Sequence, residues 1–403
     1  MIGALYIHIP FCASRCAYCD FATSACHDDA LMDAYVDSLS LQLRRASRAG
    51  LLADVRTIYI GGGTPTHLGT RRLNSLAYLL SLSVNLEGVC EFSVEANPES
   101  LTEAMVRDLH ALGVNRYSIG AQSFEDAELA TFRRVHDASD IARACEAAGS
   151  RGDAFSLDLI AGCPGQTSAS WKRSVERAIA LGACHVSVYP LSVEDGTPLA
   201  CAIAAGELAA PDDDAQADMM LSAAELLERA GLQRYETASY AKPGCACRHN
   251  IAYWTGVEYL GLGAAAASML SPDAFAACHE ARVLSCGERD ASQAADSICT
   301  RVRAAASADV SAYIAASGCA QASLECLDAR QAVLEDAMLG MRRSCGLADE
   351  FVAQARERVP QLGKTLAELE GLGLVEHAGK RWVPSERGWL CGNDIFGAIW
   401  GLA

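Results

Sequence analysis

Three cysteines fall within eight residues, as Cys12-x-x-x-Cys16-x-x-Cys19, directly after a short apolar run that reads as a strand. Thiolates set so close repel one another unless a cation or a cluster neutralises them, and iron–sulfur clusters take cysteine ligands of this kind. A [4Fe-4S] cube would take all three and keep one iron unligated, a corner that a small molecule with an amine and a carboxylate can chelate. The competing chemistry is a structural zinc site. That needs a fourth ligand from His8, Cys26 or a distant residue, and usually comes as paired Cys-x-x-Cys knuckles.

A second set of residues follows further on. Gly61-Gly62-Gly63-Thr64-Pro65 lets backbone approach a ligand and presents amides to it, although such a run also serves as an ordinary tight turn. Glu95, Gln122 and Asp158 each sit at or near the end of a strand-like run, where polar side chains of successive parallel strands converge on one rim. Taken singly, each could merely satisfy loop amides.

The elements that would position these residues are legible. Short β-rich runs recur at Ala4–Ile9, Thr57–Ile60, Glu91–Glu95, Arg116–Gly120, Phe155–Ile160 and His185–Tyr189. Helix-period segments lie between them, at Leu31–Arg45, Leu73–Leu82, Thr102–Leu112, Asp126–Ala148 and Ser170–Leu181. Six alternations of strand and helix imply βαβ units in a parallel sheet, either doubly wound or rolled into a barrel. Beyond Pro190 an amphipathic helix follows Pro211-Asp-Asp-Asp214, and the Ala-rich stretch 271–330 reads as helices and loops. From Arg330 two helices and a hairpin at Leu374–Val383 read as a small winged-helix-like module.

With 33 Lys+Arg against 50 Asp+Glu, the net charge of −17 argues against nucleic acid as a partner. No stretch is long and apolar enough to span a membrane, and the N-terminus has no secretory pattern, so a cytoplasmic protein is expected, with peripheral membrane contact left open. In a reducing compartment abundant cysteines are free thiols or metal ligands more often than disulfides. The fifteen of the 18 cysteines outside the cluster motif show no pairing pattern and read as small, mostly buried residues.

Tyr6-Ile-His8-Ile-Pro-Phe-Cys12-x-x-x-Cys16-x-Tyr18-Cys19 resembles the radical S-adenosylmethionine superfamily, in the branch of oxygen-independent coproporphyrinogen III dehydrogenase and the HemW-type haem chaperones. The resemblance implies a partial (β/α)6 barrel with a C-terminal helical, winged-helix-like domain. It divides the chain into a core at 1–235, an extension at 236–325 and a terminal domain at 326–403. It also implies a [4Fe-4S] cluster on Cys12, Cys16 and Cys19. S-adenosylmethionine would lie against Tyr6, Tyr18, Gly62, Gly63, Thr64, Glu95, Gln122, Arg134 and Asp158, and one electron from the cluster would break its carbon–sulfur bond. The family usually shows Gly-Arg-x-His where this chain has Arg133-Arg134-Val-His136, which leaves the backbone conformation there open.

Two features divide the branch. The decarboxylating enzymes carry a further cysteine two residues past the third, and here that position is Phe21. The chaperone-like members carry His-Asn-x-x-Tyr-Trp, present as His249-Asn250-Ile-Ala-Tyr253-Trp254. Imidazole is a common axial ligand of haem and flat rings pack on porphyrins, so His249 is the expected haem contact, against the alternative of a hydrogen-bonded core residue. Cys245 and Cys247 could add a second metal site or a thiolate for haem, or be incidental. A histidine common in the family downstream is replaced by Ala267. The resemblance thus implies a haem chaperone that delivers haem to a respiratory haem protein and draws on a low-potential electron donor. The alternative is a radical dehydrogenase that oxidatively decarboxylates coproporphyrinogen III in porphyrin biosynthesis.

Overall fold

The computed structural model describes all residues, 1–403. Six strands, β1 (Ala4–Ile9), β2 (Thr57–Gly62), β3 (Glu91–Ala96), β4 (Arg116–Gln122), β5 (Ala154–Ala161) and β6 (His185–Pro190), pair in parallel in that order. The six expected strand–helix units are present, and a seventh parallel strand, β7 (Tyr259–Leu262), joins the free side of β1. Antiparallel strands flank the parallel ones on both sides. Ser239–Ala241 pairs with β6, while β8 (Ala267–Leu270), β9 (Arg301–Ala306) and β10 (Ala320–Leu327) continue beyond β7. The result is a partial barrel whose edges do not pair with each other.

Period-two alternation explains what each strand offers. Along β3, Phe92 and Val94 face the helices in the hydrophobic core, while Glu91, Ser93 and Glu95 face the barrel interior. The same parity puts Tyr6 and His8, Thr57 and Tyr59, Arg116 and Ser118, Ser156 and Asp158, and His185 and Ser187 on the inner face. The interior is therefore polar from bottom to top.

The helices begin where side-chain oxygens take up the first free amides. Asp28 caps α1 (Asp29–Arg48), α2 (Gly69–Ser83) follows a 3-10 turn, and Thr102 caps α3 (Glu103–Ala111). The single helix expected over 126–148 is instead two, α4 (Asp126–Thr131) and α5 (Ala138–Gly149). A loop at 132–137 separates them, because Arg133 takes a left-handed φ of +56° and Asp137 starts α5 with a capping box to Asp140. Thr167 caps α6 (Ser168–Ala180), and Asp212 caps α7 (Asp213–Arg229).

The stretch 271–330 is also corrected, since it contributes strands β9 and β10 as well as helices. One hydrophobic core runs from Ile2 to Ala322, and a second occupies the winged-helix-like domain from Leu334 to Ile399. That domain holds the hairpin Val375–Ala378 and Arg381–Pro384. Arg342 bridges the two parts, its guanidinium 5.3 Å from the ring of Trp254 and 4.1 Å from that of Phe396. All 18 cysteines are free. Of the fifteen outside the cluster motif, six are buried, seven half-buried and two, Cys90 and Cys201, exposed, so the expectation that most are buried does not hold.

Candidate functional site

A cavity of about 370 Å³ opens at the carboxyl ends of the parallel strands, and Cys12, Cys16 and Cys19 all line it. Main-chain bonds hold their loop: Gly63 N donates to Ile9 O (2.7 Å), Thr64 N to Phe11 O (2.8 Å), Ser24 N to Pro10 O (2.8 Å) and Cys26 N to Cys12 O (3.0 Å). Burial pushes the Cys12 and Cys19 thiols up, while hydrogen bonds oppose it, from Thr64 at Cys12 and from the Phe21 backbone at Cys19.

The glycine run is dictated by space. A Cβ on Gly61 would lie 2.8 Å from the Tyr59 ring, one on Gly62 2.6 Å from the His8 ring, and one on Gly63 2.6 Å from Phe11 O and 3.0 Å from Cys12 Sγ. Gly62 also has φ +115° and donates its amide to Glu95 Oε2 (2.9 Å). The other carboxylate oxygen of Glu95 accepts from Tyr59 OH (2.8 Å). Desolvation raises the Glu95 carboxyl to about 7 against these two hydrogen bonds, with the nearby Asp158 adding to the rise. Asp158 is likewise raised by burial, opposed by the hydroxyls of Ser187 and Ser118.

Gln122 reaches the wall from a strand irregularity, at φ +64°, where the β4–β5 register shifts. Arg134 comes from the loop between α4 and α5. Its Nη1 donates to Cys16 Sγ (3.1 Å) and its Nη2 to Asn97 Oδ1 (2.6 Å) and Gly120 O (3.0 Å). Tyr18 packs edge-on against Phe132, with ring centroids 4.9 Å apart.

The structure brings Tyr18, Gly62, Gly63, Thr64, Glu95, Gln122, Arg134 and Asp158 to the one cavity as expected from the sequence, but not Tyr6 or His249. Tyr6 stands behind the wall, hydrogen-bonded to His8 Nδ1 (3.0 Å) and stacked on Tyr59. Asn97 was missed, yet it lies two residues past Glu95 on the same inward parity, as Ser118 lies two before Gly120. Phe21, 67% exposed, lines the mouth, and Tyr189 lies on the wall.

His249, the expected haem contact, lies outside this cavity, and both its ring nitrogens have partners. The residue is 1% exposed, at the amino ends of the strands. Nδ1 is hydrogen-bonded to Thr57 Oγ1 and Nε2 to Tyr253 OH, both at 2.9 Å, and burial lowers the imidazole to about 3, so it is neutral. Cys247 Sγ donates to Glu91 Oε1 (3.3 Å) at the start of the Arg248–Trp254 helix, and Cys245 forms no metal-binding group with it.

The rim residues fit the cofactors that the three-cysteine motif implies. The thiols line one cavity, a guanidinium and a hydroxyl direct donors at two of the sulfurs, and the glycine at 63 clears space beside Cys12. No three His, Cys, Asp or Glu side chains are drawn together as around a single metal ion.

Residues 6–178 match the radical SAM superfamily. The chain is 31% identical to the Heme chaperone HemW of Bacillus subtilis over 406 residues, covering 98% of each. It is 40% identical to that of Mycobacterium tuberculosis H37Rv over 262 residues, which is 64% of this chain and 67% of the relative. For the Escherichia coli K12 protein of the same name the identity is 37% over 264 residues, 65% of this chain and 69% of that one. The solved structure of coproporphyrinogen III oxidase (HemN) from E. coli superposes with a TM-score of 0.77 at 22% identity, covering 99% of this chain and 90% of that one, a likeness of fold. With one relative matched end to end and its cysteines, glycines and carboxylates on a single rim, the chain belongs to the HemW family of radical SAM proteins.

Proposed function

We propose that the protein binds haem and passes it to a respiratory haem protein. It would carry a [4Fe-4S] cluster on Cys12, Cys16 and Cys19, and S-adenosylmethionine against Tyr18, Gly62, Gly63, Thr64, Glu95, Gln122, Arg134 and Asp158. The observation that carries this reading is the one cavity lined by three thiols, a guanidinium and two half-buried carboxylates. When bound, the cluster supplies single electrons, which calls for a low-potential donor and a reducing compartment such as the cytoplasm. The chain's own residues bind and orient. The Glu95 and Asp158 carboxylates suit ribose hydroxyls or an ammonium group, and Arg134 suits a carboxylate.

Phe21 separates this reading from porphyrinogen decarboxylation. It stands where that branch carries a further cysteine, and its exposed ring gives the cavity mouth an apolar face on which a flat macrocycle can pack. The test is anaerobic reconstitution followed by two assays. Haem titration should give a saturable Soret shift at one haem per chain. Coproporphyrinogen III incubated with S-adenosylmethionine and reductant should be recovered unchanged. Conversion to a decarboxylated porphyrinogen, or no haem uptake, overturns the proposal.

A further inference from the structure

Asn97 makes no hydrogen bond to a thiol, yet it joins the donors at two of the three cysteines. Its Oδ1 accepts from Arg134 Nη2 (2.6 Å) and its Nδ2 lies 3.0 Å from Thr64 Oγ1. Thr64 Oγ1 in turn lies 3.6 Å from Cys12 Sγ, and Arg134 Nη1 lies 3.1 Å from Cys16 Sγ.

The direction of every proton in this chain follows from chemistry. Guanidinium has donors only, so the atom of Asn97 facing Arg134 is the carbonyl oxygen, and the atom facing Thr64 is the NH2 group. The Thr64 oxygen must then accept from Asn97. Its single proton is left for its other neighbour, the sulfur of Cys12. One side chain thus turns two separate donors onto two separate sulfurs.

We propose that Asn97 is a positioning residue which, through Thr64 and Arg134, fixes the hydrogen bonds to Cys12 and Cys16 and so raises the reduction potential of the cluster they hold. The proposal rests on the cluster reading given above. Hydrogen bonds to ligating sulfurs stabilise the additional electron of the reduced cluster and are among the main determinants of its potential.

Asn97→Asp is nearly isosteric and reverses the logic at one atom. A carboxylate accepts from Arg134 and also from the Thr64 hydroxyl, which turns that proton away from Cys12 and brings a negative charge toward the site. Thr64→Val removes the same donor without adding charge.

The experiment is an anaerobic redox titration of the reconstituted full-length protein, followed by the electron paramagnetic resonance signal of the reduced cluster, without S-adenosylmethionine. Asn97→Asp should need a potential lower by at least the 59 mV that corresponds to a tenfold change in the reduced-to-oxidised ratio. Thr64→Val should shift it in the same direction by a smaller amount. In the Thr64→Val background the Asn97→Asp shift should shrink, because the shared proton is already gone. An unchanged potential in Asn97→Asp, with the iron content of wild type, overturns the proposal and leaves the cluster reading intact. A wild type that takes up no iron and sulfide overturns both. If Asn97→Asp assembles no cluster, Thr64→Val decides, and a wild-type potential there overturns the proposal.

Discussion

Glu91 and Glu95 leave the same strand on the same inward face, four residues apart, and serve different ends. At the floor of the barrel Glu91 accepts from Cys247 Sγ (3.3 Å), Arg248 N (3.0 Å) and His249 N (2.9 Å), with the Arg116 guanidinium 3.9 Å away. It thereby caps the short helix that carries His249, while Arg116 Nη2 and His185 Nδ1 at the same end are left without hydrogen-bond partners. At the rim Glu95 has two partners, stands near the half-buried Asp158 carboxylate and lines the cavity. Both ends hold Glu, Arg, Cys and Tyr. What separates the two ends is access: the floor groups are enclosed, whereas the Glu95 carboxylate opens on the cavity.

The most severe way to test that contrast is to remove a rim thiol. Cys16→Ala should reduce the iron and sulfide taken up on reconstitution from stoichiometric to background. Cys247→Ala at the floor should leave iron uptake at the wild-type level, and iron lost equally from both would erase the distinction.

Next in size is the floor carboxylate. Glu91→Gln leaves the buried Arg116 charge without its partner and should cost about 3 kcal/mol, read as a lower midpoint of chemical denaturation at constant slope. Glu95→Gln should cost less than about 1 kcal/mol, since it replaces a carboxylate that its site disfavours.

The histidine supplies a smaller effect. His249→Phe leaves Thr57 and Tyr253 without partners and should cost about 1–3 kcal/mol, while haem titration of the folded variant keeps the wild-type Soret shift. Loss of that shift would mean that the floor opens to ligate iron.

The pH dependence should sharpen the rim further. The Glu95 carboxyl is raised from its ordinary 4.5 to about 7, so the folded protein takes up a proton that the unfolded chain releases between those values. The stability contribution of this group therefore falls as pH rises from about 4.5 to about 7, and is flat above. Affinity for S-adenosylmethionine should move the other way, weakening as pH drops through 7. Equilibrium binding across that range should show a slope in wild type and a shallower one in Glu95→Gln, where Asp158 alone still titrates.

The smallest effect belongs to Arg133, exposed and held at φ +56°. Arg133→Gly should stabilise by about 0.5 kcal/mol, the relief of a left-handed non-glycine conformation less the added freedom of the unfolded chain.

This position also shows how far the sequence could be read. The missing glycine raised the question of backbone geometry, and the chain answers it by keeping the left-handed turn at a cost. All six expected parallel strands form within two residues of their expected ends, because bulky Ile, Val, Leu and Phe on the outer face contrast sharply with polar residues on the inner. Strands β9 and β10 escaped notice for the opposite reason. In Arg301-Val-Arg-Ala-Ala-Ala306 alanine occupies buried and exposed positions alike, so the alternation exists in space but not in residue type.

At the site, residues at strand ends could be placed by motif and parity. His249 could not, since the sequence names a side chain without naming its partners. The break at 132–137 had a signal in Asp137 and Asp140, a capping pair in the middle of an apparently continuous helix.

The main-chain bonds that seat the cysteine loop run between amides and carbonyls and use no sulfur. The receptacle is thus shaped like a casting mould, independent of what is poured into it. A cluster lost to oxygen would leave those main-chain bonds in place, so reassembly with a reductant, iron and sulfide could reuse the same chain.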